Sequence, residues 1–260
     1  MFQTVKLEKI APHVMKLTLD RERQANALSL QLLSELKEVL AMIKKDDTIR
    51  VVLLTGSGEK AFCAGADLKE RLHMNEEQVK GTVAKIRSVI HELELIRKPI
   101  VAAINGVALG GGTELCLACD IRVASEEALF SLPETSLAII PGAGGTQRLS
   151  RLVGIGRAKD MILTARKITA QEAYEYKLIE YIVPHDELEK TALSICERIA
   201  KNGPLAIQQA KYAIQEGYGK HMDDALQVEA HAYEAIIYTN DRREGLRAFE
   251  EKRKPAYKGE

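Results

Sequence analysis

The spacing of hydrophobic positions changes several times along this chain of 260 residues, and each change marks an element. Leu32, Leu33, Leu36, Val39, Leu40 and Ile43 recur at steps of three and four, which predicts an amphipathic helix ending in the polar run 44–47. Val51, Val52, Leu53 and Leu54, closed by Thr55 and Gly56, form instead a short unbroken apolar run, the pattern of a strand buried on both faces. Residues 99–108 repeat that pattern and read as one further buried strand. Residues 3–9 and 12–19 read as two short strands joined near Pro12. Residues 70–82 are charged and irregular. A helix with Val83, Ile86, Val89, Ile90 and Leu93 on one face follows them.

In the second half, residues 121–124 and 128–131 read as strands, and residues 147–153 as a helix. Thr169 and Glu172 have the spacing of a capping box and open a helix to about Lys177. Residues 179–183 form a last strand. Leu188, Ala192, Ile195 and Ile199 then give a helical stripe. Beyond Gly203 and Pro204 the pattern is helical only, over 205–215, 222–238 and 241–252. Alternating strands and helices argue for an α/β fold. The division this predicts is a core over 1–200 and a helical unit over 201–260.

The chemistry concentrates where glycines follow strands. Gly110, Gly111 and Gly112 come directly after the run 99–108, and a helix starting at about Gly111 carries Glu114 in its first turn. Glycine lets the backbone turn sharply and brings its N–H groups close to a ligand, and the first N–H groups of a helix have no partner inside it. Small residues from Ala61 to Ala66 also follow a strand, and Gly142, Gly144 and Gly145 form a second glycine cluster before a helix. Backbone N–H groups aimed at one point stabilise an oxyanion or enolate, and losing one such donor costs about 3 kcal/mol of barrier. Glu114 and Glu134 can move protons beside that point if burial and mutual repulsion raise a pKa towards neutrality.

Other motifs fail on inspection. No G-x-x-x-x-G-K-[ST] loop occurs, and the segments 142–147 and 154–159 lack the third glycine of a dinucleotide fingerprint. His91-Glu92 starts a zinc-protease pattern that ends in Leu95. Cys116 and Cys119 have C-x-x-C spacing but lie in a helical segment with no second pair, so buried free thiols are expected and no metal. Lys plus Arg and Asp plus Glu each number 37, so no net field attracts nucleic acid. The first residues carry no secretory pattern and the apolar runs are too short for a bilayer. A cytoplasmic chain without a membrane partner is expected.

Taken together, the blocks 62–70, 102–124, Pro133-Glu134, 140–149 and 241–259 resemble the crotonase (enoyl-CoA hydratase/isomerase) superfamily over essentially the full length. The resemblance implies a spiral of ββα units with a helical C-terminal trimerisation region, assembling as a homotrimer or homohexamer. It implies that the N–H groups of Ala66 and Gly111 grip the thioester carbonyl oxygen. Glu114 and Glu134 match the two catalytic glutamates, which hold a water between them, and Gly142 matches a backbone position near that water. Ala64, Ala66 and Leu68 match the segment lining the CoA adenine pocket, and Lys60 and Lys69 match basic residues near the CoA phosphates. Phe249 and Lys252 match residues closing the CoA site, often from a neighbouring subunit. No cofactor is implied, because coenzyme A is part of the acyl-CoA thioester substrate.

Retention of both glutamates favours hydration over isomerisation within the superfamily. Residues 62–71, 138–141 and 254–260 look especially like the methylglutaconyl-CoA hydratase branch, which serves leucine breakdown. Some members of that branch bind AU-rich RNA, and Lys37, Lys44 and Lys45 motivate an RNA-binding alternative. Glu35, Glu38, Asp46 and Asp47 interleave with those lysines and argue against it.

Overall fold

The structure, a computed structural model, describes residues 2–260. Strands β1 (Val5–Ala11) and β2 (Val14–Leu19), the two expected strands, pair as an antiparallel hairpin. Helix α1 (Leu30–Lys45) starts where Ser29 Oγ accepts the Leu32 N–H, which satisfies one of the unpaired donors at a helix start. Its buried residues are the six that the spacing selects. At its far end Lys98 Nζ donates to Ile43 O and Asp46 O, both at 2.6 Å, and so closes two of the last carbonyls.

The chain then passes repeatedly between two sheets. Strand β3 (Val51–Gly56) leads to β4 (Ala61–Cys63), then helices α2 (Leu68–Arg71) and α3 (Glu76–Leu95). Strand β5 (Ile100–Ile104) leads to β6 (Val107–Leu109) and helix α4 (Gly111–Leu117). Strand β7 (Ile121–Ser125) leads to β8 (Leu129–Ser131), then α5 (Gly145–Val153) and α6 (Ile155–Thr164). Strand β9 (Ile168–Thr169), helix α7 (Ala170–Glu175), strand β10 (Tyr181–Val183) and helix α8 (Leu188–Ala200) complete the α/β part. The larger sheet has the order β1-β2-β3-β5-β7-β10 and the smaller β4-β6-β8-β9. Each ββα turn thus places one strand in each sheet, and the turns stack as a spiral.

Residues 99–108 are therefore two strands in different sheets, not the single strand expected. The corner falls at Asn105 and Gly106. The buried Asn105 amide donates to Gly56 O at 3.1 Å and to Gly58 O at 2.6 Å, fastening this corner to the one before it. A Cβ on Gly106 would lie 2.3 Å from Lys60 O, so the two corners stack only with glycine there. Both sides of the corner are buried, which is why the apolar pattern runs through it unbroken.

The larger sheet is covered on both faces, as its unbroken apolar runs require. Val51, Leu53, Val101 and Val123 pack with Leu188, Ala192 and Ile195 of α8. Val52, Leu54, Ala102 and Ile104 join the main core with the apolar stripes of α1 and α3. Full burial of one such side chain stabilises by about 1.5–3 kcal/mol.

Helix α3 corrects a second expectation. It begins at Glu76, not near Val83, and Asn75 and Gln78 form a capping box at its start. Residues 70–82 are thus ordered, but Glu76, Glu77 and Lys80 are exposed and leave no apolar stripe to read. The capping box at Thr169 and Glu172 stands where the spacing placed it. The four cysteines are buried and unpaired. No helix among the described residues is long and apolar enough to cross a membrane. Helices α9 (Pro204–Gly217), α10 (Met222–Ile237) and α11 (Asn240–Glu250) end the chain, with Ile214, Leu226, Tyr233, Leu246 and Phe249 each more than half exposed.

Candidate active site

Two of the small-residue loops meet across the top of the smaller sheet. Leu28 donates to Gly65 O and accepts from Asp67 N–H in a parallel bridge with Ala66. The residues on either side of Ala66 thereby use their polar groups on Leu28, and the Ala66 N–H points the other way. Gly111 is the first residue of α4, so its N–H has no partner inside the helix. Among the hydrogen bonds of the described residues, none uses the N–H of Ala66 or of Gly111. The two loops touch: a Cβ on Gly65, which has φ +85°, would lie 2.5 Å from Leu109 O and 3.0 Å from Gly111 N. Close approach of these two peptides depends on that missing Cβ.

Glu114 lies one turn into α4 and is 3% exposed. Its Oε1 accepts the N–H groups of Ala143 and Gly145, each at 2.7 Å. Burial raises its pKa above the usual carboxylate value, and these two bonds, with the charges of Arg148 and Arg87, oppose that rise. A Cβ on Gly145 would sit 3.0 Å from Glu114 Oε1, so the second glycine cluster lets backbone close on the carboxylate. Glu134 stands in a 3-10 turn, Pro133–Leu137, after β8. Burial pushes its pKa up to about 7, and the negative charge of Glu114 adds to the rise. Its Oε2 is buried and has no hydrogen-bond partner. An unpartnered buried carboxylate oxygen is costly when charged, which favours the protonated form.

Both glutamates line one cleft together with Ala64, Ala66, Leu68, Gly111 and Gly142. Seven expected residues therefore come together. Lys60, Lys69, Phe249 and Lys252 do not line it. Lys60 and Lys69 are exposed. Phe249 is 84% exposed on α11, and Lys252 follows it with φ +51°. Gly142 lines the cleft and its O accepts from Arg87 Nε at 2.8 Å, while the peptides that hold Glu114 are those of Ala143 and Gly145.

Sequence reasoning also missed the ion pair behind this loop. Arg148 donates from Nη1 to Ala143 O at 2.8 Å, and from Nε and Nη2 to the two oxygens of Glu94 at 2.9 and 2.6 Å. Arg148 stands one helical turn after Gly144 and Gly145, a spacing that could have drawn attention to it; Glu94, on a distant helix, carried no such signal. The remaining walls of the cleft are largely apolar, with Val83, Ile86, Leu137, Ile139 and Ile140.

This fold carries a cleft in which two peptide N–H groups without internal partners stand with two carboxylates, the arrangement of an enzyme active site. Comparison with known proteins gives the class its family. The family model for enoyl-CoA hydratase/isomerase matches residues 9–260. A short-chain enoyl-CoA hydratase of Clostridium acetobutylicum is 44% identical over 241 residues, covering 93% of this chain and 92% of that protein. The mitochondrial methylglutaconyl-CoA hydratase of Mus musculus is 43% identical over 258 residues, covering 98% of this chain and 82% of that protein. A crystal structure of an enoyl-CoA hydratase from Bacillus anthracis superposes with a TM-score of 0.98 at 58% identity, covering 99% of this chain and 100% of that one. The chain belongs to the enoyl-CoA hydratase/isomerase family of the crotonase superfamily, whose members act on acyl-CoA thioesters.

Proposed function

We propose that the protein is a 2-enoyl-CoA hydratase using Glu114 and Glu134 as its proton-transfer pair. The observation that carries this reading is that both carboxylates line the same cleft as Ala66 and Gly111, whose N–H groups are free of internal partners. The thioester oxygen would sit on those two donors. Oε1 of Glu114 is occupied by the Ala143 and Gly145 peptides, so Oε2 is the oxygen that takes a proton from water as the water oxygen bonds to Cβ. The electron pair of the double bond moves towards the thioester, and the enolate oxygen is stabilised where charge develops. Glu134, held protonated near neutrality, then gives its proton to Cα. Return of the proton from Glu114 to Glu134 restores the starting state, so the net change is addition of one water.

The finer reading is a 3-methylglutaconyl thioester as substrate, within leucine degradation. It is supported by the Mus musculus relative, which bears that activity in its name. Lys60 and Lys69 would meet the CoA phosphates. Phe249 and Lys252 would reach the CoA site of a neighbouring copy, in a trimer or hexamer built on the exposed apolar residues of α9 to α11.

Steady-state assay with crotonyl-CoA and methylglutaconyl-CoA tests the reading. Hydration of either supports it. Failure on both, with conversion of a 3-enoyl-CoA to the 2-enoyl isomer, overturns it in favour of an isomerase.

A further inference from the structure

Arg71 is the one cationic residue among those lining the cleft. It ends α2, a helix fixed at its start by Asp67, whose Oδ1 accepts the N–H groups of Lys69 and Glu70 at 3.1 and 3.3 Å. The acidic residues beside Arg71 are engaged elsewhere. Asp67 pairs with Arg21 at 2.9 Å, and Glu70 Oε2 accepts the Leu30 N–H at 3.0 Å. Among the described residues no carboxylate forms an ion pair with Arg71, and no oxygen accepts a hydrogen bond from its guanidinium. Glu134 lines the same cleft and its ionised form is favoured by the Arg71 charge, but it makes no ion pair with Arg71 and its buried Oε2 has no hydrogen-bond partner. The guanidinium is thus half-buried in a cleft whose other walls are mainly Leu68, Val83, Ile86, Leu137 and Ile140, and the protonated form of Glu134 that the hydration step uses leaves it without a counter-charge.

A plain alkyl tail would leave that charge unpaired and desolvated, which costs free energy. A carboxylate at the end of the acyl chain would meet the planar donor fork in bidentate geometry, an arrangement a guanidinium suits better than an ammonium. We propose that Arg71 is the specificity residue of this cleft, receiving the terminal carboxylate that a glutaconyl-type acyl group carries and a crotonyl group lacks. This deepens the hydratase reading of the same cleft and rests on it for catalysis, though not for binding.

The test uses two pairs of thioesters that differ in the terminal carboxylate. Glutaconyl-CoA and crotonyl-CoA report turnover. Glutaryl-CoA and butyryl-CoA, which have no double bond to hydrate, report binding by calorimetry. Wild-type protein is expected to favour the carboxylated member of each pair. Arg71→Met should lower the glutaconyl-to-crotonyl ratio of kcat/KM, and the glutaryl-to-butyryl ratio of affinities, by about ten- to a hundredfold, the range of a charged hydrogen bond. Arg71→Lys should keep part of the preference. A wild-type preference for butyryl-CoA, or equal losses on both members of each pair in Arg71→Met, would overturn the proposal. If neither unsaturated thioester is hydrated but glutaryl-CoA binds tighter than butyryl-CoA, the hydratase reading fails and the subsite stands. Should Arg71→Met fail to fold, the wild-type binding ratio alone decides.

Discussion

Arg87 on α3 donates its Nε–H to the carbonyl oxygen of Gly142 at 2.8 Å, and the N–H of that same peptide unit is the Ala143 donor that reaches Glu114 Oε1 at 2.7 Å. One peptide therefore carries a guanidinium on its oxygen and a carboxylate on its N–H. Hydrogen bonds arranged in such a chain polarise one another. Arg87 touches no reacting atom in this arrangement; it positions the Ala143 peptide and favours the ionised form of Glu114. Arg87→Met should lower kcat for hydration about tenfold, less than removal of a proton-transfer group costs, with KM little changed. It should also move the acid limb of the kcat/KM profile to higher pH, because Glu114 loses a charge that opposes its protonation. A variant with reduced stability but an unshifted acid limb would show that Arg87 is a packing residue only.

The two glutamates should differ little in what their removal costs turnover. Glu114→Gln and Glu134→Gln are each expected to cut kcat by at least about a hundredfold while acyl-CoA binding is largely kept, since each removes a proton-transfer step. The wild-type kcat/KM profile for hydration should be bell-shaped, because the active form of the pair holds one proton. Its alkaline limb should fall through about 7, where Glu134 loses its proton. Near-normal turnover in either variant would sink the two-glutamate assignment.

Much of this site was legible before the structure because its parts lie in local runs. The glycines at 110–112, the small residues at 61–66 and Glu114 all stand just after buried strands, and the cleft brings them together. The helix stripes of α1 and α8 were equally plain, since burial on one side leaves a periodic mark. What escaped was of two kinds. The corner at Asn105 and Gly106 and the first turns of α3 left no change in apolar spacing, one because both strands are buried and the other because the turns are exposed. The loop buttress of Arg87, Arg148 and Glu94 joins residues on different elements, and nothing in a linear pattern states that pairing. Family resemblance supplied the roles of Ala66 and Gly142; the peptides of Ala143 and Gly145 needed coordinates.

A carboxyl group held near neutral pKa also leaves a mark on stability. Below about pH 4.5, its unfolded value, Glu134 is protonated in both states and carries no ionisation cost. As pH rises from there through about 7 the folded state holds more protons than the unfolded one, so stability falls over that window. Glutamine does not titrate. Glu134→Gln should therefore raise Tm relative to wild type by more at pH 8.5 than at pH 5, a stability gained at the expense of activity. Equal Tm differences at the two pH values would show that Glu134 ionises without cost.

Three glycines at helix starts and within α4 separate backbone strain from collision. Gly154 has φ +86° and nothing within 4 Å of an added Cβ, so Gly154→Ala should cost stability through φ alone, about 1–3 kcal/mol. Gly110 has φ +51° and an added Cβ would lie 2.9 Å from Glu134 Oε1. Gly110→Ala should cost a similar amount of stability, but it must also displace the Glu134 carboxyl, so kcat should fall while Gly154→Ala leaves it unchanged. Gly112 has no positive φ, yet its Cβ would lie 2.0 Å from Cys63 O, a backbone atom of β4 that cannot swing aside. Gly112→Ala should therefore be the least stable of the three, because α4 must move off the strand that carries the Ala66 loop. Thermal unfolding and crotonyl-CoA turnover measured on all three variants check the ranking. A Gly112→Ala protein as stable as Gly154→Ala would mean that α4 does not depend on this close approach to β4.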